Sequence, residues 1–301
     1  MRGACSAKTI DSVSGKVLGS APNLSRSLRS IEISPLALAL ALGLCACAAH
    51  VPVDPETSEK RYLLGADLYG KGLIAPALEE LLKAVQLNPD NADAHNLIGI
   101  VYLRKGVETE DLATRSQCLR GEALKLEKQG ADAEFGKAEK EFREAVRIRA
   151  DFSDAYNNLA VVAQHFGRFD EAITAAEKAL SNIVYRDPYA AQGNLGQAYL
   201  SKGDLVRAAA ALRKALFDQP KFCVGHYRLA QVYKLEGEVD HAREELELVF
   251  AEKTCPIQEA YHLGGLLALK AGDRQRAEVL LARCQALAPK SCLAKECSLA
   301  P

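Results

Sequence analysis

One pattern of small, aromatic and apolar residues recurs along this chain at intervals of about 34 residues. Its clearest copy runs from Tyr189 to Pro220. In its first half Gly196 and Tyr199 lie about one helical turn apart, and Gly203 then marks a helix end, where a positive φ suits glycine. The second half carries an apolar stripe with helical spacing at Ala208, Leu212 and Ala215. Such a helix–turn–helix unit cannot bury its own apolar face, so the pattern predicts stacked neighbours.

The pattern resembles the tetratricopeptide repeat, and six copies are found. Alanine and leucine are abundant and aromatic residues make up only 6% of the chain, which favours helices over sheet. The sequence therefore predicts an all-α fold, a right-handed superhelical solenoid of six repeats and twelve helices. The copies span about 58–91, about 92–152 with an insertion, about 153–186, about 189–222, about 223–256 and about 258–291.

The second repeat contains an insertion at 107–137, and the array ends at 291, before a C-terminal tail at 292–301. The repeat period is satisfied without these inserted residues, because Ala138 and Phe142 already continue the second helix of the unit. Two interpretations stay open. The insertion is either a longer helix-plus-loop excursion on the solvent side or an arm that contacts a partner.

The first 46 residues are predicted to be a lipoprotein signal peptide. Arg26 and Arg29 precede an apolar run at 36–44, which is too short for a membrane span. Leu44-Cys45-Ala46-Cys47 resembles a bacterial lipobox with Cys47 as the lipidated residue and Cys45 as the alternative acceptor. The stretch before Arg26 is longer than a signal needs, so a start downstream of Met1 is a hypothesis. Residues 47–57 are expected to form a lipidated tether.

The composition argues against catalysis and against nucleic-acid binding. The formal net charge is −1, without the basic excess that nucleic acid requires. The six histidines show no metal-ligand spacing, and no nucleophile elbow or phosphate loop is present. His95 and His226 occupy the same repeat position and are interpreted as core residues. No enzyme activity, metal or cofactor is predicted.

The expected function is recognition, in the concave groove that the first helix of each repeat lines in such arrays. The asparagines at Asn96, Asn157, Asn158 and Asn194 can each donate to and accept from a peptide. The alternative is that they hydrogen-bond between helices inside the array. The groove residues come from the second, fifth, ninth, twelfth and thirteenth repeat positions. They are Tyr62, Tyr69, Asn96, Arg104, Asn157, Val161, Gln164, Gln197, Tyr227, Gln231 and Lys234.

Six cysteines follow Cys47, an even number that favours structural disulfides in an exported protein. Cys223 and Cys255 lie almost one repeat apart at the starts of adjacent first helices, a position that allows a bridge between them. Cys284 has two candidate partners, Cys292 and Cys297, and Cys118 has no obvious partner. Their spacings match no zinc pattern.

Local segments add a more specific resemblance. The segment 151–159 and the junction Tyr185-x-x-Pro188 before the fourth repeat resemble the pilotin lipoproteins of type IV pili, the Tgl, PilF and PilW group. The segments 192–196 and 220–223 are similar to the same family, and the similarity covers nearly all of 47–290. The insertion at 107–137 departs from that pattern.

The resemblance implies a lipid-anchored protein on the periplasmic face of the bacterial outer membrane. It would bind the type IV pilus secretin, promote its insertion and multimerisation, and so support pilus assembly and motility. The lack of an aspartate after Cys47 is consistent with outer-membrane sorting. The alternative is a general periplasmic scaffold that recruits cell-wall enzymes.

Overall fold

The computed structural model describes residues 53–116 and 118–299, and all regular structure in these ranges is helical. The predicted signal peptide, Cys45 and Cys47 lie outside the described residues. The helices are α1 (Pro55–Gly70), α2 (Ile74–Leu87), α3 (Ala92–Asp111), α4 (Gly121–Ile148), α5 (Ser153–His165), α6 (Phe169–Leu180), α7 (Pro188–Ser201), α8 (Leu205–Asp218), α9 (Cys223–Glu236), α10 (Val239–Ala251), α11 (Gln258–Lys270), α12 (Arg274–Leu287) and α13 (Cys292–Leu299).

The first twelve helices form six consecutive pairs, α1 with α2 through α11 with α12. Each pair packs within itself and against the next pair, so the core is continuous along the array. This confirms the predicted all-α solenoid of about six repeats. None of the described helices has the length and apolar character needed to cross a bilayer.

The fourth repeat shows why its residues produce this packing. A Cβ atom on Gly196 would lie 2.6 Å from Cγ of Leu212, so only glycine lets α7 approach α8 this closely. Leu212 is fully buried at that contact. Gly203 has φ of 78°, and the side chain of Asp204 then accepts a hydrogen bond from the Arg207 backbone N–H at 3.1 Å, which starts α8.

The insertion lengthens both helices of the second repeat. Helix α3 has 20 residues and α4 has 28, and a π-helical turn at Leu112–Ser116 follows α3. The extended parts of α3 and α4 pack on each other, because Phe135 of α4 is buried against Gly106 of α3. The insertion is therefore largely a rigid helical hairpin.

Two helices extend beyond the limits predicted for the array. Helix α1 begins at Pro55, inside the segment expected to be tether, because proline suits the first helical turn and Asp54 caps the Thr57 N–H at 3.0 Å. The segment expected to be a tail contains α13, which Ser291 caps by accepting from the Ala294 N–H at 3.0 Å. Helix α13 packs on α12 and covers the apolar end of the array.

Candidate partner-binding groove

The predicted asparagine row forms hydrogen bonds between neighbouring first helices. Asn158 Nδ2 donates to Asn96 Oδ1 at 3.2 Å, and Asn194 Nδ2 donates to Asn157 Oδ1 at 2.9 Å. Gln164 Nε2 also donates across a repeat boundary, to the Asn194 carbonyl at 3.2 Å. Asn96 is only 9% exposed. In the structure these amides therefore form hydrogen bonds between repeats, as the alternative interpretation expects.

Arg228 of α9, which was not among the predicted groove residues, continues this row into the fifth repeat. Its Nη1 donates to the Gly193 carbonyl at 2.9 Å and lies 3.4 Å from Asn194 Oδ1. Across the described ranges no carboxylate lies within ion-pair distance of this half-buried guanidinium. Burial lowers the pKa of Arg228 to about 10, so the group stays protonated at neutral pH. It is a cation whose charge is not neutralised within the described chain.

A pocket of about 310 Å³ lies between the first helices of repeats five and six. It brings together three predicted groove residues, Tyr227, Gln231 and Lys234, and Gln231 Nε2 donates to the Tyr227 hydroxyl at 3.1 Å. Polar groups and exposed leucines share this surface. The remaining lining residues are Leu235, Glu259, His262, Leu263 and Leu266.

Repeat six also contributes to this pocket, through residues that were not among the predicted groove residues. Glu259, His262 and Leu266 of α11 stand at the second, fifth and ninth positions of their repeat, which are the groove positions used for the other repeats. The signal that identifies them was therefore already in the repeat register.

The other predicted groove residues lie outside this pocket and have separate contacts. Tyr62 and Tyr69 pack against the apolar cluster around Leu81 in repeat one. Arg104 forms an ion pair with Glu108 one turn on, at 2.7 Å. Gln197 Nε2 donates to Ser201 Oγ at 3.2 Å, and Val161 is half-buried on α5.

A larger pocket of about 810 Å³ lies outside the predicted groove, where α4 and α6 flank α5. Val146, Leu159 and Ala175 give it an apolar lining, and charged side chains of α4 and α6 surround them. At its edge Arg168 Nη2 contacts Glu139 Oε2 at 2.7 Å. No sequence motif points to this pocket, whose lining residues lie between 139 and 181, outside the insertion.

The two core histidines make the same contacts in repeats two and five. His95 Nδ1 lies 2.6 Å from Glu141 Oε2 and Nε2 lies 3.0 Å from the Pro89 carbonyl. His226 contacts Glu245 at 2.6 Å and the Pro220 carbonyl at 2.9 Å. Burial lowers the pKa of each imidazole, but the carboxylate and the carbonyl outweigh it, so both pKa values are raised.

The six cysteines of the array form three bridges. Cys223 is bonded to Cys255, with Cα atoms 5.8 Å apart. Of the two candidate partners of Cys284 the structure uses Cys297. Cys292 is instead bonded to Cys118, the cysteine for which the sequence offered no partner. Among the described residues no group of three or more His, Cys, Asp or Glu side chains is arranged to hold a metal.

Two family models match parts of the chain. One, described as TPR repeat, matches residues 65–106, and the other, described as tetratricopeptide repeat, matches residues 151–216. These matches identify tetratricopeptide repeats in the two matched ranges, and the six helical pairs continue the same solenoid fold along the described chain.

Two solved structures share this fold across most of the chain. PilW, a widely conserved type IV pilus biogenesis factor, is 22% identical with a TM-score of 0.64, and the match covers 79% of this chain and 97% of the PilW chain. PilF of Pseudomonas aeruginosa is 22% identical with a TM-score of 0.62, and the match covers 80% of this chain and 96% of PilF.

A curated relative matches a shorter part. Cellulose synthase operon protein C of Xanthomonas axonopodis pv. citri (strain 306) is 31% identical over 158 residues, which are 50% of this chain. The match spans only 10% of the length of that relative.

Proposed function

We propose that this protein is an outer-membrane lipoprotein that faces the periplasm, binds the type IV pilus secretin and promotes its multimerisation. The observation that supports this most is the extent of the likeness to PilW and PilF, which includes nearly the whole of each of those chains.

The proposed mechanism needs only binding and localisation. The surface formed by Tyr227, Gln231 and Lys234 with α11 combines hydrogen-bonding groups and exposed leucines, as an extended protein segment requires. Arg228 adds a cation that favours a segment carrying a carboxylate. Binding one secretin conformation more tightly than others shifts its population toward that conformation. A lipid at Cys47 would raise the effective concentration of this surface at the membrane.

The test measures heat-resistant secretin multimers in outer membranes of the parent strain, a deletion strain and a strain carrying Cys47→Ala. We expect the multimers to disappear in the deletion strain and to be reduced or mislocated with Cys47→Ala. Cys45→Ala is the matched control, because it alters the same segment without removing the proposed lipid acceptor.

Unchanged multimers in the deletion strain would contradict the pilus function and favour the general periplasmic scaffold. Loss of multimers with Cys45→Ala but not with Cys47→Ala would retain the function and move the lipid to Cys45.

A further inference from the structure

The bridge between Cys118 and Cys292 differs from the other two in the length of chain that it closes. Its cysteines are 174 residues apart in sequence, whereas the other bridges join residues 32 and 13 apart. Its Cα atoms lie 5.4 Å apart, within the normal range for a disulfide. The bridge joins the tip of the insertion in repeat two to α13 at the other end of the array.

Its position makes this bridge a long-range constraint on a solenoid. Repeats contact mainly their immediate neighbours, so the curvature of such an array depends on many small interfaces and is soft. The bridge and the contact of α13 with the π-helical turn at Leu112–Ser116 add a connection that skips these interfaces. Repeats three to six are thereby enclosed in one covalent ring.

The hairpin that carries Cys118 is held rigidly at its base. His165, at the end of α5, lies 3.2 Å from Glu110 Oε2 through Nδ1 and 2.8 Å from Asp132 Oδ1 through Nε2. Its ring also stacks on Phe135, with centroids 3.6 Å apart. Repeat three therefore contacts both helices of the hairpin, so the position of the hairpin tip is coupled to repeat three.

Of the three bridges in the described ranges, this is the one in which both cysteines are half-buried. In the second bridge a half-buried Cys223 is joined to Cys255, which is 3% exposed, and in the third both Cys284 and Cys297 are buried. Cys118 also has φ of 53°, a backbone conformation that costs energy for a residue with a Cβ atom. Exposed and constrained disulfides exchange most readily.

We propose that the Cys118–Cys292 bridge is a latch that fixes the curvature of the array and that thiol–disulfide exchange with a dithiol opens. One thiolate of the dithiol attacks a bridge sulfur and forms a mixed disulfide, and the other cysteine leaves as a thiolate. The second thiol of the dithiol then displaces the first cysteine, so both cysteines end as thiols and the dithiol as a disulfide. Opening releases α13 from the hairpin and changes the spacing of the first helices that line the groove.

The order of reduction tests the latch. The folded full chain is treated with increasing dithiothreitol, the free thiols are alkylated, and the labelled cysteines are identified by mass spectrometry. We expect Cys118 and Cys292 to be labelled at several-fold lower dithiothreitol than the other four cysteines. Earlier labelling of Cys223 with Cys255, or of Cys284 with Cys297, would overturn the proposal, as would simultaneous labelling of all six.

The effect on curvature is tested by small-angle X-ray scattering of the parent, C118S/C292S and C223S/C255S. We expect a larger maximum dimension only for C118S/C292S, since Cys223 and Cys255 join adjacent repeats. The same measurement is made on the parent protein at the dithiothreitol concentration that reduces only Cys118–Cys292. This control needs no substitution, so it tests the proposal even where a variant fails to fold. Identical scattering of the reduced and oxidised parent would overturn the proposal.

Discussion

Single residues set how the stability of the array depends on pH. At His95 and His226 both ring nitrogens face acceptors, a carboxylate and a carbonyl. An imidazolium donates a hydrogen bond to both acceptors. A neutral ring donates to only one of them, and the lone pair of its other nitrogen then faces the second acceptor oxygen. The protonated form is therefore the one that the fold stabilises.

We expect the free energy of unfolding to fall as pH rises through the raised pKa values of these histidines. The unfolded pKa is about 6.5, so the contribution is complete below that pH and is lost above it as the folded groups deprotonate. Urea unfolding at a series of pH values measures this slope. Glu141→Gln with Glu245→Gln removes the carboxylate charges, and the double variant should show a smaller fall. A slope equal to that of the parent would contradict the assignment.

Arg228 offers a second prediction at this scale, because its charge has no carboxylate partner in the described chain. Arg228→Met keeps an unbranched side chain and removes the cost of holding an unneutralised cation. We expect its melting temperature to equal or exceed that of the parent, while its affinity for the periplasmic region of the secretin falls about tenfold or more. A stabilised protein with weakened binding would identify a residue kept for function.

Lower stability with unchanged affinity would assign Arg228 a structural function instead, through its bond to the Gly193 carbonyl. Arg213→Met is a suitable comparison, because Arg213 is a cation on α8 that contacts the Tyr233 hydroxyl at 3.1 Å outside the groove row.

At the scale of helices, close approach within a repeat can be tested with two glycines. Gly196→Ala places a Cβ atom 2.6 Å from the buried Leu212, so we expect a loss of about 1–3 kcal/mol in the free energy of unfolding. Gly136→Ala, in the middle of α4, meets no atom within 4 Å and should stabilise by about 1 kcal/mol through helix propensity. Urea unfolding of both variants gives the comparison, and equal effects would contradict the packing argument.

The helix pairs could be predicted from the sequence, whereas the long-range contacts could not. Gly196, Leu212 and Gly203 follow rules that act within one repeat, so local spacing was enough to predict their helices. Cys118 is bonded to Cys292 because the insertion folds as a helical hairpin and α13, at the end of the array, lies against the tip of that hairpin. The pocket between α9 and α11 is an intermediate case. The repeat register identifies its residues, but only the structure shows that they line one pocket.

At the scale of the whole array, two surfaces are candidate sites for binding a partner. First helices provide the pocket of about 310 Å³ with Leu266 at 40% exposure. Second helices provide the larger pocket beside α4 and α6, and α8 carries Val206 and Phe217, which are 77% and 85% exposed. Size alone does not decide between them, because binding energy depends on a few well-placed groups more than on area.

A matched pair of charge substitutions decides which surface the secretin uses. Leu266→Glu places a carboxylate in the first-helix pocket beside Glu259, and Val206→Glu places one on the second-helix surface of α8. Both side chains are exposed, so both variants should keep the parent's helix content by circular dichroism. We expect Leu266→Glu to lower the amount of heat-resistant secretin multimers several-fold and Val206→Glu to leave it unchanged. The new carboxylate repels a partner segment that carries a carboxylate, and the lost leucine removes an apolar contact, but both effects act only where the partner binds. The reverse result would assign binding to the second helices and leave the predicted groove residues to hold the repeats together.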